Sequence, residues 1–165
     1  MRKCVRSIWT LYSAARQAKA KSNMDLEYIK KIINERPNMI TALGIELIST
    51  PEADECTATM PVDSRTCQPY GILDGGASLA LAENLAGAGS QVLCPDCQCM
   101  GISVSGQHLK PAKAGTTVTA VAHLVHKGRT LHHWAVTITD EQGDTVSTVS
   151  VTNYIKRPDT GSNDR

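Results

Sequence analysis

Residues 68–90 read Gln68-Pro-Tyr-Gly-Ile-Leu-Asp-Gly-Gly-Ala-Ser-Leu-Ala-Leu-Ala-Glu-Asn-Leu-Ala-Gly-Ala-Gly-Ser90. A Pro/Gly turn runs into Asp74, Gly75 and Gly76, and the residues that follow are almost all Ala, Leu, Gly or Ser. Leucines at 79, 81 and 85 and alanines at 80, 82 and 86 occupy every side of a helical wheel, so the pattern predicts a helix buried all round. Its single ionisable residue is Glu83. A buried carboxylate without a partner costs several kcal/mol, roughly, so an acid kept in such a helix points to chemistry.

The chain has 165 residues, the size of one domain. A net charge of +1 conceals an asymmetry. The first 24 residues hold six basic side chains and no acid, leaving 11 basic against 16 acidic residues, or −5, for the rest. A domain of that sign is a poor nucleic-acid binder. The acid-free start has no unbroken apolar run of a secretory signal, and no stretch is long and apolar enough to span a membrane. It reads as a poorly ordered extension or the product of an upstream start codon, with Met24 as a sensible alternative start; a transit peptide is the other reading. Six cysteines without a secretory signal point to a reduced, cytoplasmic chain. Cys94-Pro-Asp-Cys97 has the spacing of a zinc half-site, but no second half exists, so it reads as a loop and no metal is expected.

Either side of the glycine-rich stretch the elements are shorter. Asp25–Arg36 reads as a helix with Asp25 as N-cap, Leu26, Ile29, Ile32 and Ile33 on one face, and Pro37 ending it. Ile40–Ser49 and Glu55–Val62 read as a strand hairpin. After Cys99, strands are expected at 100–105, 116–126, 134–139 and 146–155, turned at Lys127-Gly128 and Asp140-Glu-Gln-Gly143. Successive hairpins predict an α+β fold, one antiparallel sheet curled around the long helix, over residues 25–156. The segment 157–165 is a polar tail.

These features are similar to those of the hotdog-fold acyl-CoA thioesterases, in particular the branch with the Arthrobacter-type 4-hydroxybenzoyl-CoA thioesterase and the 1,4-dihydroxy-2-naphthoyl-CoA hydrolases. The resemblance rests on Met60-Pro-Val-Asp63, the Gln68–Glu83 motif, His126-Lys-Gly-Arg129, Trp134-Ala-Val136 and Asp140-Glu-Gln-Gly143. It implies a homodimer at minimum, usually a homotetramer, with active sites at the dimer interface and coenzyme A as part of the substrate rather than as a cofactor. It further implies Glu83 as nucleophile or general base, Gln68 as a substrate-orienting amide and the Gly75 N–H as the group that polarises the thioester carbonyl. A naphthoyl ester would set the protein in menaquinone biosynthesis. Two positions depart from the family pattern. Asp74 stands where a histidine is usual, and Gly87 stands where Ser or Thr is usual.

The chemistry of Glu83 also holds without the family. A thioester has a good leaving group, so hydrolysis needs a base or nucleophile and a donor for the developing oxyanion. A carboxylate near a helix N-terminus left bare by Gly75 and Gly76 supplies both. The plainer reading of Glu83 is a structural acid paired across a dimer. Asp74 has three readings: an N-cap, a protonated donor sharing its proton with Glu83, or the mark of a weakened site that binds acyl-CoA without turning it over. The phosphates of coenzyme A need cations, for which Lys110, Lys113, Lys127 and Arg129 beside Gly128 are candidates. His108 is placed near the pantetheine channel by resemblance.

Overall fold

The structure is a computed structural model and describes residues 23–158. Two short helices, α1 (Glu27–Ile33) and α2 (Met39–Leu43), precede strands β1 (Glu46–Ile48) and β2 (Glu55–Pro61). The long helix α3 (Gly75–Leu93) follows, and then β3 (Gln98–His108), β4 (Thr117–Lys127), β5 (Leu131–Thr139) and β6 (Thr145–Lys156). The strands form one antiparallel sheet in the order β1-β2-β4-β5-β6-β3. The sheet curls around α3, which packs on β2, β3, β4, β5 and β6, giving the hotdog fold expected from the sequence.

Alternation builds the concave face. Cys56, Ala58 and Met60 of β2, Val118, Ala120 and Ala122 of β4, and Trp134, Val136 and Ile138 of β5 point inward and are buried. Against them lie Leu81, Ala82, Leu85, Ala86, Ala88 and Gly89 of α3. At Gly89 the helix comes so close that an added Cβ would sit 2.8 Å from the Trp134 ring and 2.9 Å from Cys56 Sγ. The next residue, Ser90, accepts hydrogen bonds through Oγ from Trp134 Nε1 and Asn153 Nδ2, each at 2.9 Å. Burial around Cys56 pushes its thiol up to about 12, so it acts as a small apolar side chain.

Several expectations are corrected. The segment 40–49 is not one strand: Asn38 caps α2 in a capping box with Thr41, and Gly44 at φ 69° ends the helix before β1 begins. Helix α1 stops at Ile33 rather than Arg36 and has Leu26, not Asp25, at its N-cap; Asp25 instead accepts from the Glu27 N–H at 3.0 Å. Ile32 is exposed, so the apolar face is narrower than expected. Strand β3 does not form a hairpin with β4 but lies on the far edge beside β6, and Met100 and Ile102 along it are exposed. Met24, placed in the extension, is fully buried and bridges to Thr50. Cys94 and Cys97 are joined to each other in the turn after α3, against the expectation of wholly reduced cysteines. Residues 1–22 of the basic extension and 159–165 of the tail lie outside the described residues. No helix among the described residues is long and apolar enough to cross a membrane.

Helix α3 is also not buried all round. Its sheet-facing side is buried, while Gly76, Ala80, Glu83, Asn84, Gly87 and Gln91 form a stripe that is half-exposed or, at Gly76, exposed. The spacing of that stripe follows the helical repeat, so it is one continuous open face.

Two measurements test this core. Gly89→Ala must push α3 off Trp134, and we expect it to destabilise the fold by about 1–3 kcal/mol, read as a lower melting temperature. His132 is buried on β5, and desolvation, followed by the charges of Lys127, Arg157 and His126, lowers its pKa from 6.5 to about 4. The folded chain therefore binds fewer protons than the unfolded one between those values, so stability falls as pH drops from 6.5 towards 4. Chemical denaturation at stepped pH should show that limb in the native chain and its loss in His132→Leu.

Candidate active site

The turn before α3 and the crossover after β3 meet at one end of the helix. Gly71, at φ 73°, lets the chain turn so that Gln68 N–H donates to Ile72 O and Gly71 N–H to Gln68 O. Asp74 then caps α3, its Oδ1 accepting from the Gly76 N–H at 2.7 Å. The crossover from β3 to β4 passes this point through the Leu73 N–H to Ala112 O bond and the Ile72–Lys113 bridge. Because β3 is displaced to the sheet edge, its last residue, His108, reaches the start of α3.

The result is a cavity of about 340 Å³ lined by Gln68, Gly75, Ser78, His108, Lys110 and Ser147 among others. Gly75 N–H has no hydrogen-bond partner among the described residues, as the first turn of a helix requires. The Asp74 carboxylate is turned to the Gly76 N–H and is not part of the cavity wall. Lys110 stands at the mouth, but its ammonium is bound to Asp140 Oδ2 at 2.6 Å and also to Asp144 Oδ2. Hydrogen bonds to Asp140 and then Asp144 raise its pKa and hold the Asp140 carboxyl below the usual range. Its charge is therefore matched within the chain, which weakens it as a phosphate ligand.

Glu83 opens into a different cavity, about 450 Å³, with Ile29, Met39, Asn84, Gly87, Cys99 and Gly101 in its wall. The carboxylate lies over Gly101 of β3, where a Cβ would come within 3.0 Å of Glu83 Cδ and closer still to Oε1. Above Gly87 there is open space. The Asn84 amide donates back to Ala80 O at 2.8 Å. Burial pushes the Cys99 thiol up to about 11, so it stays protonated at neutral pH and is no nucleophile. Glu83 is the one carboxylate among the described residues that line this cavity.

Glu83 and Gly75 are eight residues apart on one helix, an axial separation of about 12 Å. One carbonyl cannot touch both in a single chain. The remaining cation candidates divide in the same way. Gly101 pairs with Asn153, Asn153 with His132, and His132 with Lys127, so Lys127, Gly128 and Arg129 sit level with Glu83. His108 is seven residues further along β3, about 23 Å away. The structure therefore brings Gln68, Gly75, His108 and Lys110 together at one cavity and sets Glu83 in another. Gly76 is outside both linings, its N–H taken by Asp74, and Lys127–Arg129 are level with Gly101 but three strands away, outside the Glu83 cavity wall. Lys113 lies in the crossover, bridged to Ile72.

Four contributors were not picked out from sequence. Ser147 carries no motif. Ile29 and Met39 come from the N-terminal helices, whose packing no local pattern reveals. Gly101 did carry a signal, since a glycine inside a strand marks close approach of another group.

Comparison with known proteins fits this geometry. The thioesterase superfamily profile matches residues 70–147. The proofreading thioesterase EntH of Cronobacter turicensis is 42% identical over 106 residues, 64% of this chain and 76% of that protein. Among solved structures, thioesterase HI1161 of Haemophilus influenzae superposes with a TM-score of 0.74 at 31% identity, over 83% of this chain and 94% of that one. A glutamine-to-alanine variant of thioesterase PA1618 from Pseudomonas aeruginosa gives 0.73 at 34%, over 80% and 94%. The chain belongs to the thioesterase superfamily, and the chemistry its relatives support is hydrolysis of a thioester.

Gly101→Ala tests whether the Glu83 carboxylate must rest where it does. The methyl group displaces the acid without touching the core, so thioester turnover should fall by about 10–100-fold with the melting temperature within a few degrees of native.

Proposed function

We propose that the protein hydrolyses an acyl-CoA thioester carrying an aromatic or otherwise bulky acyl group, in a site assembled from two copies of the chain. Glu83 comes from one copy, and Gln68 and the Gly75 N–H come from the other. The observation that carries this reading is the division of the catalytic groups between two cavities about two helical turns apart on α3. A second copy related by a twofold axis can bring the Glu83 half of one chain to the Gly75 half of the next. Strand β3 suits such a join, because it is a sheet edge of 11 residues with Met100 and Ile102 exposed. A homotetramer, as in related hotdog proteins, would be a pair of such dimers.

In this site Glu83 acts as general base on a water, or attacks the carbonyl carbon itself. The oxygen nucleophile adds to that carbon, the oxyanion is met by the Gly75 N–H, and the carbon–sulfur bond breaks to release coenzyme A as its thiol. In the nucleophilic route water then cleaves the acyl–Glu83 anhydride, returning the carboxylate and the free acid. Lys127 and Arg129 are level with Gly101 along the sheet, three strands away, and are the cations we assign to the phosphates of coenzyme A. The apolar lining from Ile29 and Met39, with the open space over Gly87, leaves room for a ring-sized acyl group. A second reading, an acyl-CoA binder without turnover, draws on Gly87, which offers no hydroxyl to a water beside Glu83.

Release of free thiol from benzoyl-CoA and lauroyl-CoA separates the two. Under our reading Glu83→Gln lowers kcat by about 10²–10⁴-fold while the melting temperature holds. Binding of both esters with no thiol released by the native chain would establish the binder instead. A mixture tests the shared site directly. Glu83→Gln and Gly75→Ala chains, each inactive alone, should recover about a quarter of native activity when co-refolded, because each mixed dimer keeps one intact site.

A further inference from the structure

The oxyanion donor that a histidine before the glycine would supply cannot come from Asp74, whose carboxylate is occupied as the helix cap. The space beside Gly75 is nevertheless filled by an imidazole. An added Cβ on Gly75 would meet His108 Nε2 at 2.6 Å and Cδ2 at 2.9 Å, so the ring packs against the first residue of α3 with Nε2 nearest. Both residues line the same cavity, and the Gly75 N–H is unpaired there among the described residues.

The other ring nitrogen is fixed from behind. His108 Nδ1 is 3.0 Å from Ser147 Oγ, on the neighbouring strand β6, where His108 and Ser147 are cross-strand partners. Ser147 is fully buried, and its hydroxyl has no other side-chain partner among the described residues. A buried hydroxyl places its proton on an acceptor if one is in reach, and Nδ1 is that acceptor. Donation from Ser147 to Nδ1 leaves the proton of a neutral ring on Nε2, the atom that faces Gly75. In the imidazolium form Nε2 also carries a proton, so it is a donor in either state. The ring comes from β3 and is oriented by a buried partner on β6.

We infer that His108, oriented by Ser147, is the side-chain donor to the thioester carbonyl oxygen beside the Gly75 N–H, the role that Asp74 leaves open. His108 is then a catalytic residue and Ser147 a positioning residue. This inference rests on the acyl-CoA hydrolase reading and relocates the histidine function from the residue before α3 to the end of β3. The two donors converge from different elements.

The test uses full-length protein and thiol release from benzoyl-CoA, with kcat and KM determined separately. His108→Ala should lower kcat by about 10²–10³-fold with KM changed less than about threefold, as for loss of one oxyanion donor. Ser147→Ala should lower kcat about tenfold in the native background and not at all in His108→Ala, because a positioning residue has nothing left to position. Melting temperatures of the single variants check that each remains folded. A His108→Ala enzyme with native kcat, or one altered in KM alone, overturns the inference. Equal Ser147→Ala losses in both backgrounds overturn the positioning role. Glu83→Gln is the control for the underlying reading. If it too turns over normally, the hydrolase site itself is wrong; if it is inactive while His108→Ala is not, only the histidine assignment falls.

Discussion

The contact between Gly89 and Trp134 sets the distance from α3 to the sheet, and the rest of the molecule is arranged around that distance. A side chain at 89 would collide with the indole and with Cys56, so only a glycine lets the helix settle this low. Ser90 then locks the approach with its two buried hydrogen bonds to Trp134 and Asn153. With no phenylalanine in the chain, a single large ring fills the floor beneath an otherwise small-residue helix. Packing a helix of Ala, Gly and Leu against a curled sheet leaves room on the inner side only for small polar residues, Ser78 and Ser90. Every polar group that α3 carries for chemistry is forced onto its outer stripe.

That stripe sets the spacing between Glu83 and the start of α3. Glu83 and the bare start of α3 are on one rigid element, separated by a fixed rise, and the sheet edge at β3 separates their cavities further. A loop could bend to close such a gap, but a helix clamped to a sheet cannot. The clamp holds the Glu83 cavity and the Gly75 cavity at a constant relative position. The shift of β3 to the edge does two jobs in this scheme. It exposes Gly101 under the Glu83 carboxylate at one end and carries His108 to Gly75 at the other.

Much of this was legible in the sequence, and the failures have physical causes. A single antiparallel sheet curled around the helix follows from one long Ala/Leu helix among alternating strands, the hotdog fold from the family resemblance, and Trp134, Val136 and Ile138 fall on the predicted face. The strand order did not follow, because alternation reveals that a strand exists but not which neighbour it pairs with. Segment 40–49 was misread because Ile40 and Leu43 have apolar spacing compatible with either period, and the deciding signals were the Asn38 cap and the left-handed Gly44. The helix was read as buried all round because alanine and glycine are equally at home inside or out. Glu83 and Gly75 stand out in the sequence by type and position, and each lines a cavity. The pairing of His108 with Ser147, 39 residues apart, depended on β3–β6 register and could not be read locally.

Asp74 shows how one substitution can be absorbed by redistribution. At the first turn of α3 a side chain can cap the helix or face the cavity, and a short carboxylate is better suited to the first task, since it accepts from the Gly76 N–H in the geometry an N-cap prefers. A histidine at that point is a poorer cap and a better donor. With Asp74 the helix start is secured by its own residue, and the exposed flank of Gly75 is free for a ring from outside the helix. His108 occupies that flank, anchored on the sheet rather than on the turn. The stability of the helix end and the polarity of the cavity are thereby carried by different residues, so either can change without the other.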